Sequence, residues 1–306
     1  MINNSKIRYG KSFSWLRKIA KKILAAIYPI VIKFFPLPKV LSVDETLIEL
    51  QKNPKASIVR FGDGEILYLV DKLNLPFQKY EPKLAHAFSE ILKNNHENLL
   101  VCLPVGYSDI STLDQEGKEF WRSQISWNYP RFQGYLNLDS VYFNASVTRL
   151  FYGFGKSYAA PKFEAWKSIL KCETALIIEG EKTRFGVGND LLKNIKKIER
   201  ILAPKHDAFG QCDEILSYII SQKKSYDLIL IALGPAAKYL TFQLHKSDHR
   251  VLDVGNLDIE YEWFLSGSQD RFKVKGKYTS EVKGGREVED IQDEHYLSQI
   301  LTKFLP

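Results

Sequence analysis

The sequence is poor in sulfur and has no long apolar run. It carries one methionine and three widely spaced cysteines, Cys102, Cys172 and Cys212, in 306 residues. No metal-ligand or C-x-x-C spacing joins them, which excludes a zinc ribbon and a thiol redox motif. Two of the three fall in or beside predicted strands, as the buried thiols of a reducing compartment do. The six histidines show no H-E-x-x-H or other paired-ligand spacing. A Walker A loop, a G-x-S-x-G elbow, internal repeats and low-complexity segments are absent too. The longest apolar stretch near the start, Ile23 to Ile32, contains Pro29. It is too short for a bilayer, which takes roughly 20 apolar residues.

What is present is globular: 45% apolar and 26% charged residues, enough chain for one large domain or two ordinary ones. Sixteen Tyr, eighteen Phe and five Trp suit aromatic-lined clefts as well as cores. The net charge of +7 favours anionic partners such as phosphates, nucleotides or anionic lipid. The basic residues are dispersed and no nucleic-acid recognition module appears, which argues against a nucleic-acid binder.

Residues 1–38 stand apart from the domain expected over 39–306. Within 11–38, Arg17, Lys18, Lys21 and Lys22 alternate with Trp15, Leu16, Ile19, Ile23 and Leu24. A cleaved signal fits poorly, because no small-residue cleavage site follows. Two readings stay open: an amphipathic segment lying on an anionic membrane or docking a partner, or a helix packed on the domain.

Along the chain, Ser42 with Glu45 three residues on forms a capping box and opens a helix to about Lys52. Ala56–Val59 reads as a buried strand and Asn98–Pro104 as a second, with an amphipathic helix from Glu81 to Asn95 between them. Residues 106–118 read as loop, Glu119–Tyr129 as helix, Val141–Arg149 as a strand-to-helix junction and Pro161–Leu170 as helix. Thr174–Ile178 is strand, followed after a glycine-rich loop by a basic helix from Leu191 to about Lys197. Strand Arg200–Pro204, helix Cys212–Gln222, strand Tyr226–Gly234 and strand Arg250–Gly255 come next. A basic loop over 274–285 precedes a closing helix at about 294–305. This alternation predicts a Rossmann-like, mostly parallel α/β sheet with helices on both faces, in which ligands bind where the strands end.

That rule gathers four loops on one edge. The first, Arg60-Phe61-Gly62-Asp63-Gly64-Glu65, is a tight turn straight after a strand. Asp63 and Glu65 offer hard oxygens to one divalent cation, and Arg60 has the fork geometry for a phosphate. As a bare motif it equally describes a solvated Asp-Gly turn. The second, Glu181–Asp190, sets Arg184, Gly186 and Gly188 before the expected basic helix, as a phosphate cradle or a capped turn. The third, Gly234-Pro235, starts a helix. In the fourth, Asp258 and Glu260 are candidate general bases and Tyr261 and Trp263 candidate stacking platforms; a solvated acidic face with core aromatics is the plainer alternative.

Five blocks in order carry a resemblance: RFGDGE at 60–65, FNASVTR at 143–149, EGEKTRFGVGND at 179–190, ALGPAA at 232–237 and DVGNLDIEYEW at 253–263. Over roughly residues 40–282 the chain resembles the GT-D-type glycosyltransferases, first catalogued as a domain of unknown function. The resemblance implies one Rossmann-like domain that moves a hexose, glucose by expectation, from a UDP-sugar to a glycan or glycoprotein acceptor, with Mn2+ or Mg2+. It puts the family's D-x-E motif on Asp63 and Glu65, Glu65 being the expected direct ligand. It lines the donor site with Arg60, Gly62, Asp63, Asn144, Arg149, Glu181, Arg184, Gly186 and Asn189, and seeks the base at Asp258 or Glu260. A cytoplasmic enzyme, or one on the inner face of the plasma membrane, follows from that donor, and residues 11–38 would attach it to the membrane or to partner transferases. Two rivals remain at this stage, a Rossmann-like methyltransferase that needs no metal and a non-catalytic membrane-associated adaptor for another transferase.

Overall fold

Short uncharged runs of Leu, Ile and Val become the centre of the sheet, because a strand covered on both faces needs apolar side chains at every position. The computed structural model describes residues 14–93, 96–107, 110–111, 113–268 and 270–305. In chain order the elements are α1 (Ser14–Phe34), β1 (Lys39–Val40), α2 (Val43–Lys52), β2 (Ser57–Arg60), α3 (Asp63–Asp71), α4 (Pro82–Leu92) and β3 (Leu99–Leu103). Then come α5 (Gln115–Phe132), β4 (Val141–Asn144), α6 (Lys156–Ile169), β5 (Cys172–Gly180), β6 (Ile195–Ala203), α7 (Cys212–Ser221) and β7 (Leu228–Ala232). The chain ends with α8 (Ala236–Lys246), β8 (Val251–Asp253), α9 (Leu257–Ser266), α10 (Glu294–Ser298) and β9 (Ile300–Lys303).

Among the described residues nine strands form one sheet in the order β1-β4-β3-β2-β8-β7-β5-β6-β9, and every pairing is parallel. Side chains alternate between its faces. Leu176 and Ile178 of β5 with Ile229 and Ile231 of β7 enter the core under α3, α4, α5, α7 and α8. Ala175 and Ile177 with Leu228 and Leu230 enter the opposite core under α2, α6 and α9. The chain leaves β2 toward β3 on one side and leaves β8 toward β9 on the other. The β2/β8 boundary is thus a switch point, where the loops after two neighbouring strands part and open a crevice.

The sequence reading departs from the structure in several places. The Ser42 capping box is present, with Ser42 Oγ accepting the Glu45 N–H. The basic helix expected over Leu191–Lys197 is absent: a turn leads into β6, which starts at Ile195 because β5 pairs with it over the whole run from Cys172 to Gly180. Lys196 and Lys197 are the solvated start of a strand, not a polar helix face. The closing helix stops at Ser298, and Ile300–Lys303 adds a strand to the open side of β6. The expected end of the 81–95 helix, part of the 106–118 loop and the start of the 11–38 segment lie outside the described residues.

Candidate active site

β2 ends at Arg60, and Gly62 then caps α3, so Asp63 and Glu65 sit in the first turn of a helix, not on an extended loop. Glu65 folds back over its own cap. Its Oε2 accepts the Gly62 N–H at 2.9 Å, and a Cβ on Gly62 would lie 3.0 Å from that oxygen. Its Oε1 lies 3.0 Å from Lys238 Nζ on α8. Burial opposes the charge on Glu65, but Lys238 and the Gly62 N–H outweigh it and hold the carboxyl pKa below its usual value.

Lys238 also lies 3.5 Å from Asp253 Oδ2 at the end of β8. Asp253 Oδ1 in turn takes Arg60 Nη2 at 3.1 Å, while Arg60 Nε donates to the Asp253 carbonyl at 2.8 Å and Nη1 to Ala145 O at 3.2 Å. Arg60, Asp253, Lys238 and Glu65 therefore form a buried chain of alternating charge across the β2/β8 switch point. Arg60, expected to meet a phosphate, has its guanidinium bonded to Asp253 and Ala145.

Asp63 stands differently. Its carboxylate makes no ion pair among the described residues, and burial, with the nearby charge of Glu65, raises its pKa, opposed by Arg149. Arg149 follows the short turn after β4 and puts Nη1 2.7 Å from Glu281 Oε1. Asn256 Nδ2 donates to the same oxygen at 2.6 Å, and Arg271 Nη1 lies 3.0 Å from Glu281 Oε2. Burial opposes the charge of Glu281, yet Arg149 and Arg271 hold its pKa low. A carboxylate with no ion pair among the described residues thus stands within the field of a half-exposed guanidinium where the strands end.

The candidate bases are placed as structural clamps. Glu260 Oε2 accepts the N–H groups of Phe151 and Tyr152 at 2.9 and 3.0 Å, pinning the loop that carries Arg149. Its burial raises its pKa, offset in part by those donors. Asp258 is enclosed by Lys277 Nζ at 2.7 and 2.9 Å and Asn189 Nδ2 at 2.7 Å. There, too, burial raises the pKa against the pull of Lys277. Both oxygens of Asp258 are thus occupied, whereas the bonds to Glu260 fall on Oε2. Tyr261 and Trp263 are core residues, 2% and 1% exposed, not stacking platforms.

The loop after β5 behaves similarly. Arg184, at φ +52°, donates to Gly276 O at 2.7 Å and Glu289 O at 2.6 Å, so it straps the 274–290 segment instead of projecting a free cation. Glu181 faces Lys205 at 3.4 Å. Gly186 (φ +72°) is a packing glycine: a Cβ there would meet Leu192 at 2.2 Å. With no helix after it, this loop lacks the helix N-terminus that the phosphate reading required. Asn189 also bonds Glu262, at 2.7 Å. Asn144 is buried, accepting the Ser146 N–H at 3.0 Å and donating to Leu41 O at 3.3 Å.

The structure thus brings Asp63, Glu65, Arg60, Arg149 and Glu260 around one crevice, and joins Asp258 and Asn189 to a neighbouring buried knot. Sequence reasoning missed Lys238, Asp253, Asn256, Lys277 and Glu281. Asp253 and Asn256 lay inside the DVGNLDIEYEW block and were legible as polar residues at a strand end. The remaining three gave no local signal.

A parallel α/β sheet with acids and cations gathered at its switch point defines a ligand-binding enzyme of the Rossmann-like class. Comparison with known proteins narrows this. The model of the glycosyltransferase GT-D fold family matches residues 58–282, and the chain belongs to that family. It is similar to the glycosyltransferase GlyD of Streptococcus pneumoniae serotype 4, 38% identical over 269 residues that cover 87% of this chain and 33% of that protein. The probable glycosyl transferase Gly of Streptococcus gordonii is 32% identical over 266 residues, 86% of this chain and 38% of that one. The chain therefore spans about a third of the length of these curated relatives. Among solved structures, a glycosyltransferase (DUF1792) from Streptococcus sanguinis superimposes with a TM-score of 0.79 at 30% identity, covering 87% of this chain and 99% of that one. A second, described as domain of unknown function 1792 with a distinct glycosyltransferase fold, gives 0.78 at 34% identity, covering 94% and 99%.

Proposed function

We propose that this chain transfers a hexose, glucose by preference, from a UDP-sugar to a hydroxyl of a glycan or glycoprotein precursor in the cytoplasm, with a divalent cation, Mn2+ or Mg2+. One observation carries the reading: the Asp63 carboxylate, without an ion pair among the described residues and within the field of Arg149, at the switch point of a chain whose family is one of glycosyltransferases. Breaking the sugar–phosphate bond leaves charge on the diphosphate, and cations aimed at it stabilise that charge as it develops.

The residues present fit such a cation in one way. Asp63 supplies a hard oxygen, whereas both Glu65 oxygens are taken by Lys238 and the Gly62 N–H. Among the described residues no group of three or more His, Cys, Asp or Glu stands ready to enclose a metal. The remaining ligands would then be phosphate oxygens and water, the usual makeup of a magnesium-type nucleotide site. Bound there, the metal would neutralise diphosphate charge. Asp63 is thus the ligand, and Glu65 positions the helix turn that presents it. Arg149 supplies the protein's own cation toward the diphosphate, Glu181 and Asn189 belong to the donor-side loop, and Asp258 and Glu260 hold the loops in place.

Calorimetric titration of UDP with and without Mn2+ tests this, using wild type, Asp63→Asn and Glu65→Ala. Binding that needs the metal and falls by about tenfold or more in Asp63→Asn is expected, one lost charge-assisted ligand being worth at least ~1.4 kcal/mol. Absence of UDP binding under every condition would overturn the transferase reading. Unchanged affinity in Asp63→Asn would move the metal elsewhere.

A further inference from the structure

The helix α1 has two apolar faces on opposite sides. Tyr28 and Ile32, with Phe35 just past the end of the helix, pack against the core, and α5 is the main neighbour. Arg122 of α5 lies over the Tyr28 ring at 5.9 Å. Facing away, Trp15, Ile19, Ile23, Ile27, Ile30 and Phe34 recur every three or four residues, and so share one stripe along the helix. Ile23, Ile30 and Phe34 are 58%, 59% and 72% exposed. An apolar stripe of this size, with none of the described residues covering it, marks an interaction surface.

The charges of α1 choose the partner. The helix carries Arg17, Lys18, Lys21, Lys22 and Lys33 and neither Asp nor Glu. At 100° per residue, Lys18, Lys22 and Lys33 border the stripe along one side. A second copy seated stripe to stripe would bring like charges together, whereas an anionic surface accepts the apolar face and the cations at once. Among the described residues no helix is long and apolar enough to cross a membrane. At 21 residues α1 is about 32 Å long, suited to lying in the interface plane.

We propose that α1 binds the surface of an anionic lipid bilayer, with Trp15, Ile19, Ile23, Ile27, Ile30 and Phe34 among the acyl chains and Lys18, Lys22 and Lys33 at the headgroups. The inference is independent of the transfer chemistry. It also fixes an orientation. Lys22 lines a shallow cleft with Gln115, Glu119 and Arg122, at the start of α5. Because α5 follows the end of β3, the lysine-rich half of α1 lies on the same edge of the sheet as Asp63.

The test is co-sedimentation of the full chain with vesicles of phosphatidylcholine alone or mixed with phosphatidylglycerol. The variants are Ile23→Asp/Ile30→Asp and Lys18→Glu/Lys22→Glu, all at exposed positions, with thermal midpoints and light scattering as controls. Wild type is expected to partition onto the mixed vesicles, and each double variant to lose about tenfold or more of that partition at an unchanged midpoint. Equal binding to neutral vesicles, no binding to either, or full binding by Ile23→Asp/Ile30→Asp would overturn the proposal. So would a vesicle-free dimer that this variant abolishes, since the stripe would then belong to a second copy.

Discussion

Lys238 Nζ lies 3.0 Å from Glu65 Oε1 and 3.5 Å from Asp253 Oδ2, so one cation from α8 ties the turn after β2 to the end of β8. All three side chains are largely buried; Glu65 depends on this ammonium for charge balance, while Asp253 shares it with Arg60. Replacement of Lys238 by Met should cost about 3–5 kcal/mol of stability, because it strands buried charge. Urea unfolding measures it, and a loss below about 1 kcal/mol would show that the pairing carries little.

Asp258 distinguishes a positioning residue from a base. Asp258→Asn keeps the shape and a bond to Asn189 or Lys277, while Lys277 retains Glu262 at 2.8 Å. A stability loss of about 2 kcal/mol is expected, the worth of a hydrogen bond to a charged group. UDP affinity in the same variant should shift less than about tenfold. Wild-type stability together with abolished turnover would instead restore Asp258 as the base.

Acid should destabilise the fold in part through Glu199 on β6. Burial opposes its charge, but Lys224, the Tyr226 hydroxyl at 2.7 Å and Lys197 at 3.2 Å bring its pKa down from 4.5 to about 2. A depressed folded-state pKa gives stability that is fully present above pH 4.5 and is lost as pH falls toward 2. Glu199→Gln should therefore be less stable than wild type at neutral pH, and the gap should close through that window. Chemical denaturation at a series of pH values reads it out; a gap independent of pH would contradict the assignment.

Arg184 grips the carbonyls of Gly276 and Glu289, and Arg184→Ala leaves both without that donor. The expected results are a loss of about 2 kcal/mol and faster tryptic cleavage at Lys275, Lys277 and Lys283. Cleavage at the wild-type rate would mean that the strap is held by other contacts.

The sheet was legible because its strands are uncharged runs: Leu228–Ala232 and Thr174–Ile178 admit few other structures. The acidic turn at 60–65 was legible too, since a glycine-flanked aspartate after such a run has to lie at a strand end. What stayed hidden depends on partners distant in sequence. Lys193, Lys196 and Lys197 imitate a helix's polar face until β5 claims the segment as a strand, and Ile300–Lys303 becomes β9 only because β6 leaves an open side. Arg60 and Arg184 look like free phosphate ligands in the sequence. Only the folded chain brings Asp253, Ala145, Gly276 and Glu289 to their guanidinium groups.

The grip of Arg60 on β8 also limits how this protein can vary over time. Gly255, at φ +45°, lies so close that an added Cβ would stand 1.9 Å from Arg60 Nη2. Arg60 cannot swing away without abandoning Asp253 and Ala145. Two positions far apart in the chain are therefore bound into one inherited unit. A lineage that keeps the arginine has to keep the glycine, and one that gains a side chain at 255 has to rebuild the charge chain beneath the crevice as well.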